Sequence, residues 1–251
     1  MLLENSWTDA ELAKLPVKGG FRLRGLNMTR LETFADAAFA FAVTMLVISI
    51  DTIPGNFPEL VEALKGVPAF AASFASIMLL WAGHNRWSRR YGLEDGLTTL
   101  LTLCLIFIML VFLYPLKLVF SSLFAWLSGG WMPSQFAINS VGELASLFIV
   151  YGIGFFAISA VILLLYLRAL KIADLLGLDK MEVLRTREEI GAWSIMCGTG
   201  ILSALFAWLM PGDGRVFAGF VYFILPVTMP WLAIRYQKRA EALDSDRGTA
   251  A

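Results

Sequence analysis

Six stretches of this chain stay apolar for roughly the 20 residues that a helix needs to cross hydrocarbon: 31–52, 67–85, 97–121, 144–167, 189–210 and 215–235. Pro68 opens the second, where a proline in the first helical turn loses no hydrogen bond, and His84 closes it. Pro115 predicts a kink or an end in the third, and Pro226 and Pro230 predict a bend in the sixth. The pattern therefore predicts an all-α membrane protein of six transmembrane helices. A 31–235 membrane domain is flanked by an N-terminal segment, 1–30, and a C-terminal tail, 236–251.

Two connections are longer than the rest. Residues 122–143 are apolar, carry no charge until Glu143, and are broken by Gly129, Gly130 and Pro133. That segment is expected at the outer interface, with Trp126 and Trp131 at headgroup level. Residues 168–188 are amphipathic and charged, and are expected to form a loop. No internal repeat is evident.

Charge sets the orientation. Lys14, Lys18, Arg22, Arg24 and Arg30 precede the first span; Arg86, Arg89 and Arg90 follow the second. Arg168, Lys171, Lys180, Arg185 and Arg187 follow the fourth, and Arg235, Lys238, Arg239 and Arg247 follow the sixth. All of these fall on one side of the membrane. The other side holds Lys65 and Arg215, with Lys117 inside the third span. An excess of this kind marks the cytoplasmic face, so both termini are expected there. The first 27 residues have no signal-peptide core, and no cleaved leader is expected.

Composition agrees. Of 251 residues, 58% are hydrophobic and 16% charged, with twenty basic residues against twenty acidic, so the total carries no basic footprint for nucleic acid. Cys104 and Cys197 lie inside apolar runs and read as small buried hydrophobes. One histidine cannot build a metal site of the usual ligand number. A phosphate-binding loop, a dinucleotide turn, a His-Glu-x-x-His pair and a nucleophile elbow are all missing, which leaves enzyme chemistry without support and no cofactor expected. A Thr-Val-Gly-Tyr-Gly potassium filter is missing as well.

The residues that carry chemistry stand at the mouth of the first span. Arg30, Glu32 and Asp36 lead into Phe39-Ala40-Phe41-Ala42-Val43-Thr44-Met45-Leu46-Val47-Ile48. Ionised groups this close to hydrocarbon are costly unless paired, snorkelled or hydrated. At 3.6 residues per turn, Phe41, Thr44 and Ile48 share one stripe with Met45 and Val47 at its edges, and Asp36 lies about 140° away from Phe41. If the stripe lines something, Asp36 faces the subunit's own bundle. Ala37, Ala38, Ala40 and Ala42 permit close helix contact, and ordinary packing of a membrane helix would account for the same pattern. His84, one turn after Trp81 and beside Arg86-Trp87-Ser88-Arg89-Arg90, has three uses open to it. It can partner Asp36, act as a proton-sensitive switch, or sit at the interface wetted by water. Asp95 is a further candidate partner in such a set.

Arg30-x-x-x-Phe34-Ala35-Asp36 and the run that follows resemble the first span of the endosomal and lysosomal potassium channel family, transmembrane protein 175, and its bacterial relatives. That family's signature reads Arg-x-x-x-Phe-Ser-Asp. Trp81-x-x-His84, then Asp95, then Phe112-Leu113-Tyr114-Pro115 are similar to its second and third spans. The resemblance covers about residues 28–120. It implies a homotetramer in a bacterial inner membrane, with the first helix of each subunit lining a central pore for potassium and other monovalent cations. By position, Phe41 falls at a hydrophobic constriction, Thr44 at a polar ring and Ile48 at a further apolar ring, with Met45 beside them. Arg30, Phe34, Asp36, Trp81, His84 and Asp95 fall in the network that holds the first helix. Three positions depart from the family: Ala35 replaces the signature serine, Phe41 is aromatic where aliphatics are usual, and residues 97–121 contain no asparagine.

Three functions are therefore weighed. The first is a weakly selective potassium-permeable channel. The second is a proton-coupled transporter using Asp36 and His84 as a relay. The third is a non-conducting membrane scaffold of the same fold.

Overall fold

A computed structural model describes residues 7–48, 54–134, 136 and 138–249, with the side chains of Ile48 and 246–249 left aside. Residues 49–52 of the first predicted span thus lie outside the described residues. The chain forms a short helix α1 (Asp9–Leu12), a hairpin of β1 (Val17–Lys18) and β2 (Phe21–Arg22), and seven further helices. These are α2 (Arg30–Ile48), α3 (Phe57–Lys65), α4 (Val67–Tyr91), α5 (Gly96–Leu127), α6 (Val141–Lys171), α7 (Lys180–Leu209) and α8 (Leu225–Thr249). A 3-10 stretch, Gly212–Ile224, leads into α8.

Among the described residues, α4, α5, α6, α7 and the continuous segment Gly212–Ser245 are long and apolar enough to cross a membrane. The chain is a multi-pass α-helical membrane protein. The predicted first span, α2, is described over 19 residues and is not one of those five.

Several helices outrun the predicted spans, and charged turns extend α4, α6 and α7 beyond their apolar runs. Helix α4 continues through Arg86–Arg90 and ends at Gly92, whose φ of 59° closes it. The 168–188 segment is mostly helix, contrary to the loop expected. Helix α6 runs to Lys171, and α7 starts at Lys180 because Asp179 and Glu182 form a reciprocal cap. Helix α5 passes Pro115 without ending and reaches Leu127, six residues beyond the predicted end. Trp126 and Trp131, flanking the turn after it, are 65% and 61% exposed.

Proline shapes the last segment. Pro226 has no N–H to offer the Tyr222 carbonyl, and the Leu225 N–H bonds that oxygen instead. That i→i−3 bond closes the 3-10 stretch where α8 begins.

Helix α6 packs along α7 in the most extensive seam of the fold. There two glycines meet. A Cβ on Gly152 would stand 2.7 Å from the Gly200 carbonyl oxygen, and one on Gly200 would stand 2.8 Å from that of Gly152. Only backbone without side chains lets the helices approach so closely. Helix α2 lies across α4 and α5, burying Ala35, Phe39, Ala42 and Leu46. Its other side carries exposed residues, Phe34, Ala37, Phe41 and Thr44 among them.

Candidate functional site

Two faces of α2 emerge from one repeat. Glu32, Ala35, Phe39, Ala42 and Leu46 recur at alternating spacings of three and four and are buried. Phe34, Ala37, Phe41 and Thr44 recur at the same spacings on the opposite side and are exposed. Spacings of three and four mark one face of an α-helix, so the two sets occupy opposite faces. Phe34 and Phe41 are 54% and 57% exposed. Thr44 is exposed with its hydroxyl donating to the Ala40 carbonyl at 3.0 Å, which leaves the hydroxyl oxygen as an acceptor on the open side. Met45 is half-buried against the core at the edge of the stripe. The Ile48 side chain lies outside the described residues.

The residues expected to cooperate in one network fall into separate pairs. Asp36, half-buried, accepts a hydrogen bond from the Trp81 indole Nε1 at 2.8 Å, joining α2 to α4. His84, 4% exposed, does not pair with Asp36; its Nε2 lies 3.3 Å from the Thr102 hydroxyl of α5. Its ring stacks beside Trp87. Asp95 precedes α5, accepts from the Thr98 hydroxyl at 2.5 Å, and forms an ion pair with Arg168 of α6. Burial pushes the Asp95 carboxyl up, but the hydrogen bonds from Thr98 and Arg168 outweigh it and hold the group below its ordinary value. The pairs form a succession of ties, α2 to α4, α4 to α5 and α5 to α6. Phe34 lies on the Phe41 side of α2 rather than with these pairs. Arg30, the first residue of α2, is exposed and belongs to none of the ion pairs among the described residues.

Stronger anchors went unread in the sequence. Glu32 is buried, caps α2 reciprocally with Thr29, and accepts from the Ser88 hydroxyl at 2.5 Å. Its signal was the Thr29-x-x-Glu32 spacing of a capping box. Glu189 of α7 accepts from Arg86 at 2.9 Å and from Arg90 at 3.0 Å, both on α4. Glu182 holds Arg22 at 2.7 Å and Arg24 at 3.0 Å. Both arginines had counted only toward the charge asymmetry. The cap spacing Asp179-x-x-Glu182 could have flagged the acid, but nothing local could name its partners, which are about 160 residues away.

Among the described residues no group of His, Cys, Asp or Glu could hold a metal ion, and both cysteines are unbridged. A cavity of about 520 Å³ opens between the N-terminal arm, the start of α7 and the end of α8, and no residue of α2 lines it. The exposed face of α2 is therefore not part of this cavity.

Residues 30–115, which include α2, α4 and most of α5, match the family model of the endosomal/lysosomal potassium channel TMEM175. A potassium channel of Marivirga tractuosa is 36% identical over 233 residues, covering 89% of this chain and 94% of that protein. A potassium channel of Chamaesiphon minutus is 36% identical over 64 residues, 23% of this chain. Among solved structures, a variant of the potassium channel MtTMEM175 bound to a nanobody–MBP fusion superposes with a TM-score of 0.76 at 34% identity. That match covers 89% of this chain and all of the other. A lysosomal potassium-selective channel TMEM175 homologue from Chamaesiphon minutus, at 20% identity and a TM-score of 0.53, shares the fold.

Proposed function

This chain belongs to the TMEM175 family as a bacterial member, and from that membership we propose that it is a potassium-permeable, weakly selective cation channel. Four copies enclose the path, each presenting α2 as one of six transmembrane helices. The observation that carries this is the exposed Phe34–Ala37–Phe41–Thr44 stripe on a helix whose opposite face is buried. A lone subunit leaves that stripe open, and a ring of subunits closes it.

In the assembly, Phe41 forms the hydrophobic constriction, Thr44 contributes a ring of hydroxyl oxygens, and Ile48 forms a further apolar ring with Met45 beside it. Apolar rings and a single hydroxyl ring offer little to distinguish one monovalent cation from another, hence weak selectivity. Of the expected network, Asp36, Trp81, His84 and Asp95 hold α2 in place, the Asp36–Trp81 hydrogen bond touching α2 directly, while Phe34 stands on the open stripe and Arg30 at the exposed start of the helix. The protein sits in the inner membrane with both termini in the cytoplasm, as the distribution of Lys and Arg supports. A proton relay through Asp36 and His84 gains no support, since each has its own partner in Trp81 and Thr102.

Potassium flux into liposomes tests the proposal. Flux that needs no proton gradient and rises in Phe41→Ala is expected. Strict dependence on the gradient, lost in Asp36→Asn, would point to the transporter. Silence of both wild type and Phe41→Ala would leave a scaffold.

A further inference from the structure

The N-terminal arm enters α2 six residues after Arg24, and Arg22, Arg24 and Gly25 are each gripped on the way. The Glu182 carboxylate of α7 accepts five hydrogen bonds. Two come from Arg22, through its main-chain N–H at 2.8 Å and its Nη2 at 2.7 Å. Two come from the Arg24 fork, each at 3.0 Å, and one from the Asp179 main-chain N–H at 3.1 Å. The Arg24 Nε donates to the Leu176 carbonyl at 2.8 Å and its Nη2 to that of Gly177 at 3.2 Å, so the guanidinium is saturated. The side chains of Arg24 and Glu182 are 0% and 1% exposed.

The next residue is held by α4. The Gly25 N–H donates to the Arg89 carbonyl at 3.1 Å, and Arg89 Nη1 donates back to the Gly25 carbonyl at 3.0 Å. A Cβ on Gly25 would stand 2.5 Å from the Ser88 carbonyl oxygen, so no side chain fits between arm and helix. The same Ser88 then reaches Glu32, one turn inside α2.

We propose that Arg24 and Glu182 are positioning residues of the conduction path: they fix the rotation and height of α2 at its charged end, and so which side chains its open stripe presents. This rests on the proposed channel function. A bidentate guanidinium–carboxylate pair suits the task because it defines an orientation as well as a distance, which an apolar contact of equal size does not. A buried pair of this kind is weak evidence for stability and better evidence for specified geometry. Neither residue touches an ion. Their neutralisation acts through α2, by loosening the arm that leads into it.

The test uses the full-length protein in lipid. Amide hydrogen exchange is followed over residues 26–36, beside potassium flux and the thermal midpoint. Glu182→Gln is expected to speed exchange over 26–36 about tenfold and to change flux about threefold or more, at temperatures where the thermal scan shows it folded. Arg24→Lys, which keeps the charge but loses the fork, shifts both in the same direction and serves if Glu182→Gln does not assemble. Glu188→Gln, which breaks the Arg185 pair within α7, leaves both at wild-type values. A lowered thermal midpoint in Glu182→Gln with wild-type exchange over 26–36 and wild-type flux would overturn the assignment and leave the pair a fold anchor only. If wild type carries no potassium, the channel function fails, while exchange over 26–36 still decides whether this pair governs α2.

Discussion

Trp81 donates its indole N–H to the Asp36 carboxylate at 2.8 Å, and by that bond the half-buried acid of α2 is turned onto α4, away from Phe41. The direction agrees with helical arithmetic, which places the two residues about 140° apart. Asp36 therefore acts on the open stripe by holding its helix and not by meeting what passes along it.

Trp81→Phe keeps the ring and removes the donor. A hydrogen bond to a charged group is worth about 1.5–3 kcal/mol, and a loss near the lower end is expected because Asp36 retains some contact with solvent. Thermal unfolding of the purified protein reads it. Asp36→Asn, which can still accept from Trp81, is expected to cost less than Trp81→Phe; the reverse order would mean that the charge matters more than this bond.

Phe41→Ala should raise potassium flux, because it opens the narrowest apolar ring of the proposed path to water. Phe34→Ala, one repeat nearer the charged end on the same stripe, should raise it less. Equal effects at the two positions would place the constriction elsewhere.

Asp95 predicts an acid-side dependence. Its carboxyl is held below its ordinary value of 3.8 in the folded chain despite burial, by Thr98 and Arg168. A depressed folded value means that the contribution to stability is present above the ordinary carboxylate range and disappears as pH falls through the lowered value. Midpoints measured from about pH 6 down to about pH 3 should therefore decline less steeply in Arg168→Gln than in wild type. Parallel profiles would show that this pair does not contribute to acid sensitivity.

Gly200→Ala should separate α6 from α7. The added methyl meets the Gly152 carbonyl and the Phe156 backbone at under 3 Å, and overpacking of this kind costs about 1–3 kcal/mol. Gly198→Ala, on the same helix with open space around it, should be close to neutral. The two midpoints settle whether the seam or glycine itself is responsible.

Much of the membrane architecture could be read directly, because hydrocarbon demands long apolar runs and α4, α5, α6 and α7 contain them. Helix ends were read poorly. Arg86–Arg90 and 180–188 are charged, so hydropathy stops before them, yet capping and ion pairs to neighbouring helices keep them helical. Pro115 predicts a kink or an end in the third span, and α5 does not end there. Resemblance places Asp36 and Trp81 in one network without naming them as partners; the hydrogen bond between them is seen only in the fold. The Glu182 clasp could not be read either, since the sequence shows two arginines and a distant acid, and only folding brings them together. His84 was offered to Asp36 from its place beside the charges, but Thr102 of α5 is the hydroxyl within reach.

The alternating three-and-four spacing of the α2 stripe has one more consequence. A straight helix of 3.6 residues per turn slips about 20° against a seven-residue repeat, so over two repeats, from Phe34 to Ile48, the stripe swings about 40°. In the proposed ring, straight helices could aim it at the axis at one level only. The path would then be an hourglass, its waist set by where the swing crosses the centre line, and twisting the helices would move that waist along the membrane normal without exchanging a single side chain.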